Sequence, residues 1–121
     1  MGFVVVSPRT RRRDEAPLRG DVWDAHFPPP IGLHPVVILT SNALIPRLQA
    51  VTAAVITGTS GPTSTHVALE PAAGVTKYSV SWVNATDLQA VPVTRLRRRR
   101  GRLAPGELEA LENCVRDVLA L

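Results

Sequence analysis

Two short apolar runs constrain this chain more than anything else in it. The first is His34-Pro35-Val36-Val37-Ile38-Leu39-Thr40, and the second is Val51-Thr52-Ala53-Ala54-Val55-Ile56-Thr57. Both are rich in β-branched residues, and Pro46 breaks the link between them. Runs of this length and composition read as buried strands, not helices. Each carries a polar residue at one end, His34 where the first run begins and Thr57 where the second stops. Pairing the two antiparallel sets the start of one near the end of the other. His34 and Thr57 are then expected as neighbours on one rim of a sheet.

The rest of the chain is read around that pair. The 121 residues suffice for one domain with one core. Residues 1–18 mix Pro, Arg, Asp and Glu after a short apolar start, and read as a poorly ordered basic extension. The domain, 19–121, is expected to begin at Arg19-Gly20-Asp21-Val22-Trp23, a turn feeding a strand, with Val22 in the core and Trp23 over the sheet. The segment Asp24 to Leu33 contains Pro28, Pro29 and Pro30 and reads as a stiff surface connection, because prolines cannot pair inside a sheet. Gly58 to Ser64 is a turn, Thr65 to Leu69 a strand, Lys77 to Val83 another, and Asp87 to Val93 a last one that Pro92 confines to an edge or a stop. A run of arginines then leads into a helix. Pro105 suits its first position, Glu107, Glu109 and Glu112 suit its positive end, and Leu108, Leu111, Val115 and Val118 form one apolar stripe. Glu112 and Arg116 are spaced as an i,i+4 ion pair.

Composition excludes several classes. No stretch approaches the roughly 20 apolar residues that span a bilayer, and the apolar start is too short for a signal-peptide core. The single cysteine, Cys114, excludes an internal disulfide and suits a reducing compartment, so a cytoplasmic location is expected. His26, His34 and His66 lack the spacing of a metal site, and no nucleotide-binding or nucleophile-elbow motif occurs; neither metal nor cofactor is expected. The net charge of +4 is concentrated in two arginine clusters, Arg9 to Arg13 and Arg95 to Arg102. Clustered arginine suggests an anionic partner, nucleic acid or an acidic protein segment. A solvated basic loop accounts for such a run equally well.

The rim supplies the chemistry. A histidine can act as general acid or base near neutral pH, and threonine or serine hydroxyls can hydrogen-bond a phosphate oxygen. Cleavage of RNA without a metal needs such a set: a base for the 2′-OH proton, an acid for the leaving 5′-oxygen, and donors for the charge on phosphorus.

The order of motifs carries a resemblance. Arg19-Gly20-Asp21-Val22-Trp23, His34 to Leu39, Ala53 to Thr57, Thr65 to Leu69, and Gly101 to Leu108 leading into the C-terminal helix resemble the MazF/PemK family of toxin endoribonucleases. Each motif is weak alone; five in order, from Arg19 onward, are fairly specific. The resemblance implies a mainly β fold, an SH3-like antiparallel β-barrel with a C-terminal α-helix, assembled as a homodimer. It implies cleavage of single-stranded RNA by 2′-OH attack, leaving a 2′,3′-cyclic phosphate and a 5′-OH, and a cognate acidic antitoxin. Thr57 matches the family's catalytic threonine, and His34 stands where the family usually has an arginine before proline. The candidate catalytic residues are therefore His34 and Thr57. The candidate RNA-binding residues are Arg19, Thr59, Ser60, Arg97, Arg98, Arg99 and Arg100. His66 reads as structural, and Trp23 as packing rather than base stacking. Two other readings stand beside this one. A non-enzymatic toxin of the CcdB type shares the fold but depends on a tryptophan near its C-terminus, where this sequence has Leu119-Ala120-Leu121. A catalytically weak homologue that only binds RNA or antitoxin would follow from the loss of the arginine.

Overall fold

The computed structural model describes residues 16–74 and 80–121. Six strands and one helix follow one another along the chain. They are β1 Asp21–Phe27, β2 Gly32–Ile38, β3 Ala50–Thr57, β4 His66–Ala68, β5 Trp82–Pro92, β6 Leu96–Arg102 and the helix Pro105–Leu119. The strands form one antiparallel sheet in the order β4-β5-β3-β2-β1-β6. Among the described residues β4 and β6 are edges that do not pair with each other, so the expected barrel is open.

Alternate residues of a strand point to opposite faces, and both faces of this sheet are apolar. One face carries Val22, Val37, Ala54, Ile56 and Val83 and packs against Leu111 and Cys114 of the helix. The other carries Trp23, Ala25, Val36, Ile38, Val51 and Ala53. Val91 from β5 and Leu96 from β6 join this second cluster, so the sheet curls around it even though its edges stay apart. Burial on both faces explains why the central runs read as continuous apolar stretches without alternation. Val22 and Trp23 are both fully buried, one in each core. Trp23 thus lies inside the second core instead of covering the sheet.

Three expectations need correction. The connection expected from Asp24 to Leu33 is mostly strand: β1 continues to Phe27, β2 begins at Gly32, and the three prolines are confined to the turn between them. The two strands expected over Lys77–Val83 and Asp87–Val93 are one, β5, as far as they are described; residues 75–79 of the first lie outside the described residues. A bulge lets it run through, because Ala54 pairs with Leu88 while Val55 pairs with Asn84. The three residues between are taken up locally, where the Asn84 side-chain carbonyl accepts hydrogen bonds from the Thr86 N–H and hydroxyl. The arginine run is itself a strand, β6, bulged at two points along β1. Of the expected extension, residues 1–15 lie outside the described residues.

The helix begins at Pro105 as expected. Glu107 caps it with one carboxylate oxygen, accepting from the Ala104 N–H at 2.7 Å, and its other oxygen accepts from the Glu70 N–H at 2.7 Å. Leu111 and Cys114 are its buried positions, with Leu108 and Val115 partly buried; Val118, a turn further on, is exposed. Cys114 donates its thiol hydrogen to the Thr63 carbonyl, and burial, reinforced by Asp117, pushes its pKa up. It is a core side chain, kept neutral, not a nucleophile. Glu112 does not pair with Arg116. It binds Arg19 at 2.7 Å, while Arg116 donates to the Asn113 side chain. Arg19 is held by the Leu39 carbonyl as well, so Glu112 meets a partner already in place.

Gly74 makes a sharp test of this packing. Its φ is +84°, and a methyl group there would lie 2.0 Å from the Arg100 carbonyl oxygen. Gly74→Ala should therefore cost at least about 1–3 kcal/mol of stability, read by urea unfolding. An unchanged midpoint would contradict the close approach of this segment to β6.

Candidate active site

The β2–β3 ladder decides where the rim residues lie. Val36 faces Val55, Val37 faces Ala54 and Ile38 faces Ala53. The same register, continued by two residues, sets His34 opposite Thr57, and both belong to the face that carries Trp23 and Val36. The expectation from the two apolar runs therefore holds. The His34 side chain reaches across to β3, where its Nε2 lies 2.6 Å from the Ile56 carbonyl oxygen. A carbonyl only accepts, so Nε2 carries a hydrogen. The Thr57 hydroxyl oxygen accepts from the Thr59 N–H at 3.1 Å, which orients the hydroxyl and leaves its own hydrogen to donate. His34 and Thr57 are both half-buried.

The neighbours extend this row across the sheet. On one side Ala25 pairs with His34. On the other side Trp82 pairs with Thr57, and Ala68 with Trp82. Thr59 and Ser60 are exposed in the turn that follows Thr57. His66 shares a hydrogen bond with the Thr65 hydroxyl and packs so closely on this turn that a methyl group on Gly61 would lie 2.3 Å from its ring. It has the structural surroundings expected of it.

The structure divides the candidate cations. Arg97 lies beside the start of β2, where it lines a cleft of about 330 Å³ with His26, Gly32 and Leu33. Arg98 is exposed and, among the described residues, forms no ion pair. Arg100 pairs with Asp24 at 3.1 Å, and Arg99 and Arg102 both approach Asp21, at 3.4 and 3.1 Å. Asp21 is 1% exposed, and a buried carboxylate needs such partners because an unpaired one costs several kcal/mol. Arg99 and Arg100 therefore have internal work. Arg19 is not near the rim at all. Its partners Leu39, Asn42 and Glu112 place it past the far end of β2, about 17 Å of strand from His34 at about 3.3 Å per residue. Among the described residues no group of three or more His, Cys, Asp or Glu side chains is placed to hold a metal ion.

Residues 18–119 match the family model of the PemK-like, MazF-like toxin of type II toxin–antitoxin systems. The chain belongs to this family. It is 37% identical over 95 residues, 78% of this chain and 85% of the other, to the probable endoribonuclease MazF5 of Mycobacterium tuberculosis. Among solved structures it resembles a mycobacterial endoribonuclease in complex with its cognate antitoxin, with a TM-score of 0.77 and 25% identity, covering 88% of this chain and 97% of that one. It also resembles the Mycobacterium tuberculosis toxin MazF-mt6, with a TM-score of 0.73 and 29% identity, covering 84% and 97%. The open, six-stranded sheet with its C-terminal helix is thus the fold of MazF toxins. Within this PemK/MazF fold the rim holds one residue that sequence reasoning passed over. Trp82 sits beside Thr57, but its place depends on a bulge that no sequence pattern announces.

Proposed function

We propose that this member of the PemK/MazF toxins cleaves single-stranded RNA at the rim formed by His34 and Thr57, without a metal. Its class is that of an endoribonuclease toxin of a type II toxin–antitoxin system. The observation that carries the mechanism is the hydrogen bond from His34 Nε2 to the Ile56 carbonyl, which holds an imidazole beside the Thr57 hydroxyl. In the proposed step, His34 takes the proton of a 2′-OH as the oxygen attacks phosphorus. The P–O5′ bond breaks, and the leaving 5′-oxygen takes a proton from a water molecule, to which the protonated His34 returns the one it accepted. The products are a 2′,3′-cyclic phosphate and a 5′-OH. The Thr57 hydroxyl donates to a non-bridging phosphate oxygen, where charge grows in the transition state. Thr59 and Ser60 extend this donor set, and Arg97 and Arg98 hold the flanking phosphates.

The remaining candidates take lesser parts. Arg99 and Arg100 contribute charge to the same strand while serving Asp21 and Asp24. Arg19 joins the helix to the sheet. The working form proposed is a homodimer in the cytoplasm, restrained by a cognate acidic antitoxin that covers the basic surface, with the toxin domain spanning 19–121. No helix among the described residues is long and apolar enough to cross a membrane.

The test is direct. Purified protein incubated with a defined single-stranded RNA in the presence of a chelator should produce 5′-OH and 2′,3′-cyclic phosphate ends at a recurring short motif. Intact RNA, or 5′-phosphate ends, would overturn the proposal.

A further inference from the structure

The rim as described has groups for the chemistry and cations for the phosphates, but contacts to phosphate carry no sequence information. Recognition of single-stranded RNA depends on unstacked bases, which proteins hold on aromatic side chains. Aromatic residues are only 4% of this chain: two Trp, one Tyr and two Phe. Trp23 is fully buried, and Phe27 packs against the core of that face. Trp82 differs from both. It is half-buried, at the first residue of β5, on the same face as Thr57 and directly across from it. Both of its cross-strand neighbours are small, Thr57 on one side and an exposed Ala68 on the other. Directly opposed side chains in a sheet start about 5 Å apart, so the indole stands one side chain away from the hydroxyl assigned to the phosphate.

A tryptophan that only filled the end of the sheet would be expected to have large apolar neighbours and little exposure. Here the largest side chain of the row has small companions and is itself only half-buried.

We propose that Trp82 is the base-stacking platform of this site: a nucleobase next to the scissile phosphate lies on the indole while that phosphate sits at Thr57 and His34. The inference rests on the proposed function of the same rim. It makes Trp82 a positioning and selectivity residue, one that lets the enzyme accept single strands, whose bases can splay out, and reject duplex, whose bases cannot.

The chain has two tryptophans, and Trp23 is shielded from solvent, which makes the test spectroscopic. The probe is a single-stranded oligonucleotide carrying the mapped cleavage motif, with 2′-O-methyl groups so that no hydroxyl can attack. Binding to the wild-type protein should quench tryptophan emission, and Trp82→Phe should abolish the quenching while keeping most of the affinity. Trp82→Leu should weaken binding about 5- to 150-fold, the range of one base–aromatic stack. Removing the base beside the scissile phosphate should weaken wild-type binding comparably and leave the Trp82→Leu variant unaffected, because the two losses share one contact. Binding without any change in emission, or a Trp82→Leu affinity within twofold of wild type, would overturn the proposal. Should Trp82→Leu fail to fold, wild-type quenching and the abasic comparison still decide it. Failure of the underlying reading looks different: the Thr57→Ala protein would cleave like wild type. If cleavage depends on Thr57 but no measurement responds to Trp82, only the stacking proposal falls.

Discussion

Thr57→Ala should lower the rate of RNA cleavage by about 10²–10³-fold, the usual loss when one preorganised donor to a growing negative charge is removed. The fold should not change. Thr57 is the last residue of β3, half-buried, and its side chain makes one local hydrogen bond, to the Thr59 N–H. Losing that bond costs about 1 kcal/mol, too little to unfold a domain with two apolar cores. Activity and stability are therefore expected to separate, and growth arrest should disappear with activity while circular dichroism and the mass in solution stay as in the wild type. Thr57→Ser keeps the hydroxyl and should recover most of the rate. If the alanine variant cleaved RNA at the wild-type rate, the hydroxyl would have no part in the chemistry. The catalytic centre would then have to lie elsewhere on the sheet.

How far this centre was legible in the sequence differs residue by residue. His34 and Thr57 were found from two β-branched runs and the antiparallel rule, because buried strands leave a dense local signal and their ends are marked by the first polar residue. The helix was legible for a similar reason, with Pro105 at its start and apolar residues at helical spacing. Strand β6 was not. Four consecutive arginines look like solvated chain, and the groups that make them a strand, Asp21 and Asp24, lie some 75 to 80 residues earlier. Its two bulges along β1 also erase the period of two that marks a strand. The same physics sorted the arginines. Counting positive charge could not separate Arg97 and Arg98 from Arg99 and Arg100, because the difference is made by two carboxylates on a neighbouring strand. The structural part of Arg19 was hidden for a related reason: its partners Leu39 and Glu112 come together only when the helix docks. Trp82 depended on a register that shifts between Ala54 and Val55, which puts it across from Thr57.

His34→Ala should be the more damaging substitution, with a loss of about 10²–10⁴-fold if the imidazole moves protons in the transition state. A second reason for loss is positional, since the Nε2 bond to Ile56 ties the start of β2 to the end of β3 beyond the last paired residues. The two causes separate through the position's resemblance-based alternative, arginine. An arginine at this site keeps a positive charge and can donate to the Ile56 carbonyl, but it does not titrate in the working range. A histidine side chain can exchange a proton in that range. If His34 acts as acid or base, wild-type activity should change with pH between about 5 and 8, and the His34→Arg protein should retain partial activity with a flat profile over that interval. Superimposable profiles for the two proteins would reduce His34 to a clamp. Proton transfer would then have to come from the RNA, from water or from another side chain. Circular dichroism recorded across the same interval should show the fold retained, so that a change in rate reports on chemistry rather than on the loss of the rim.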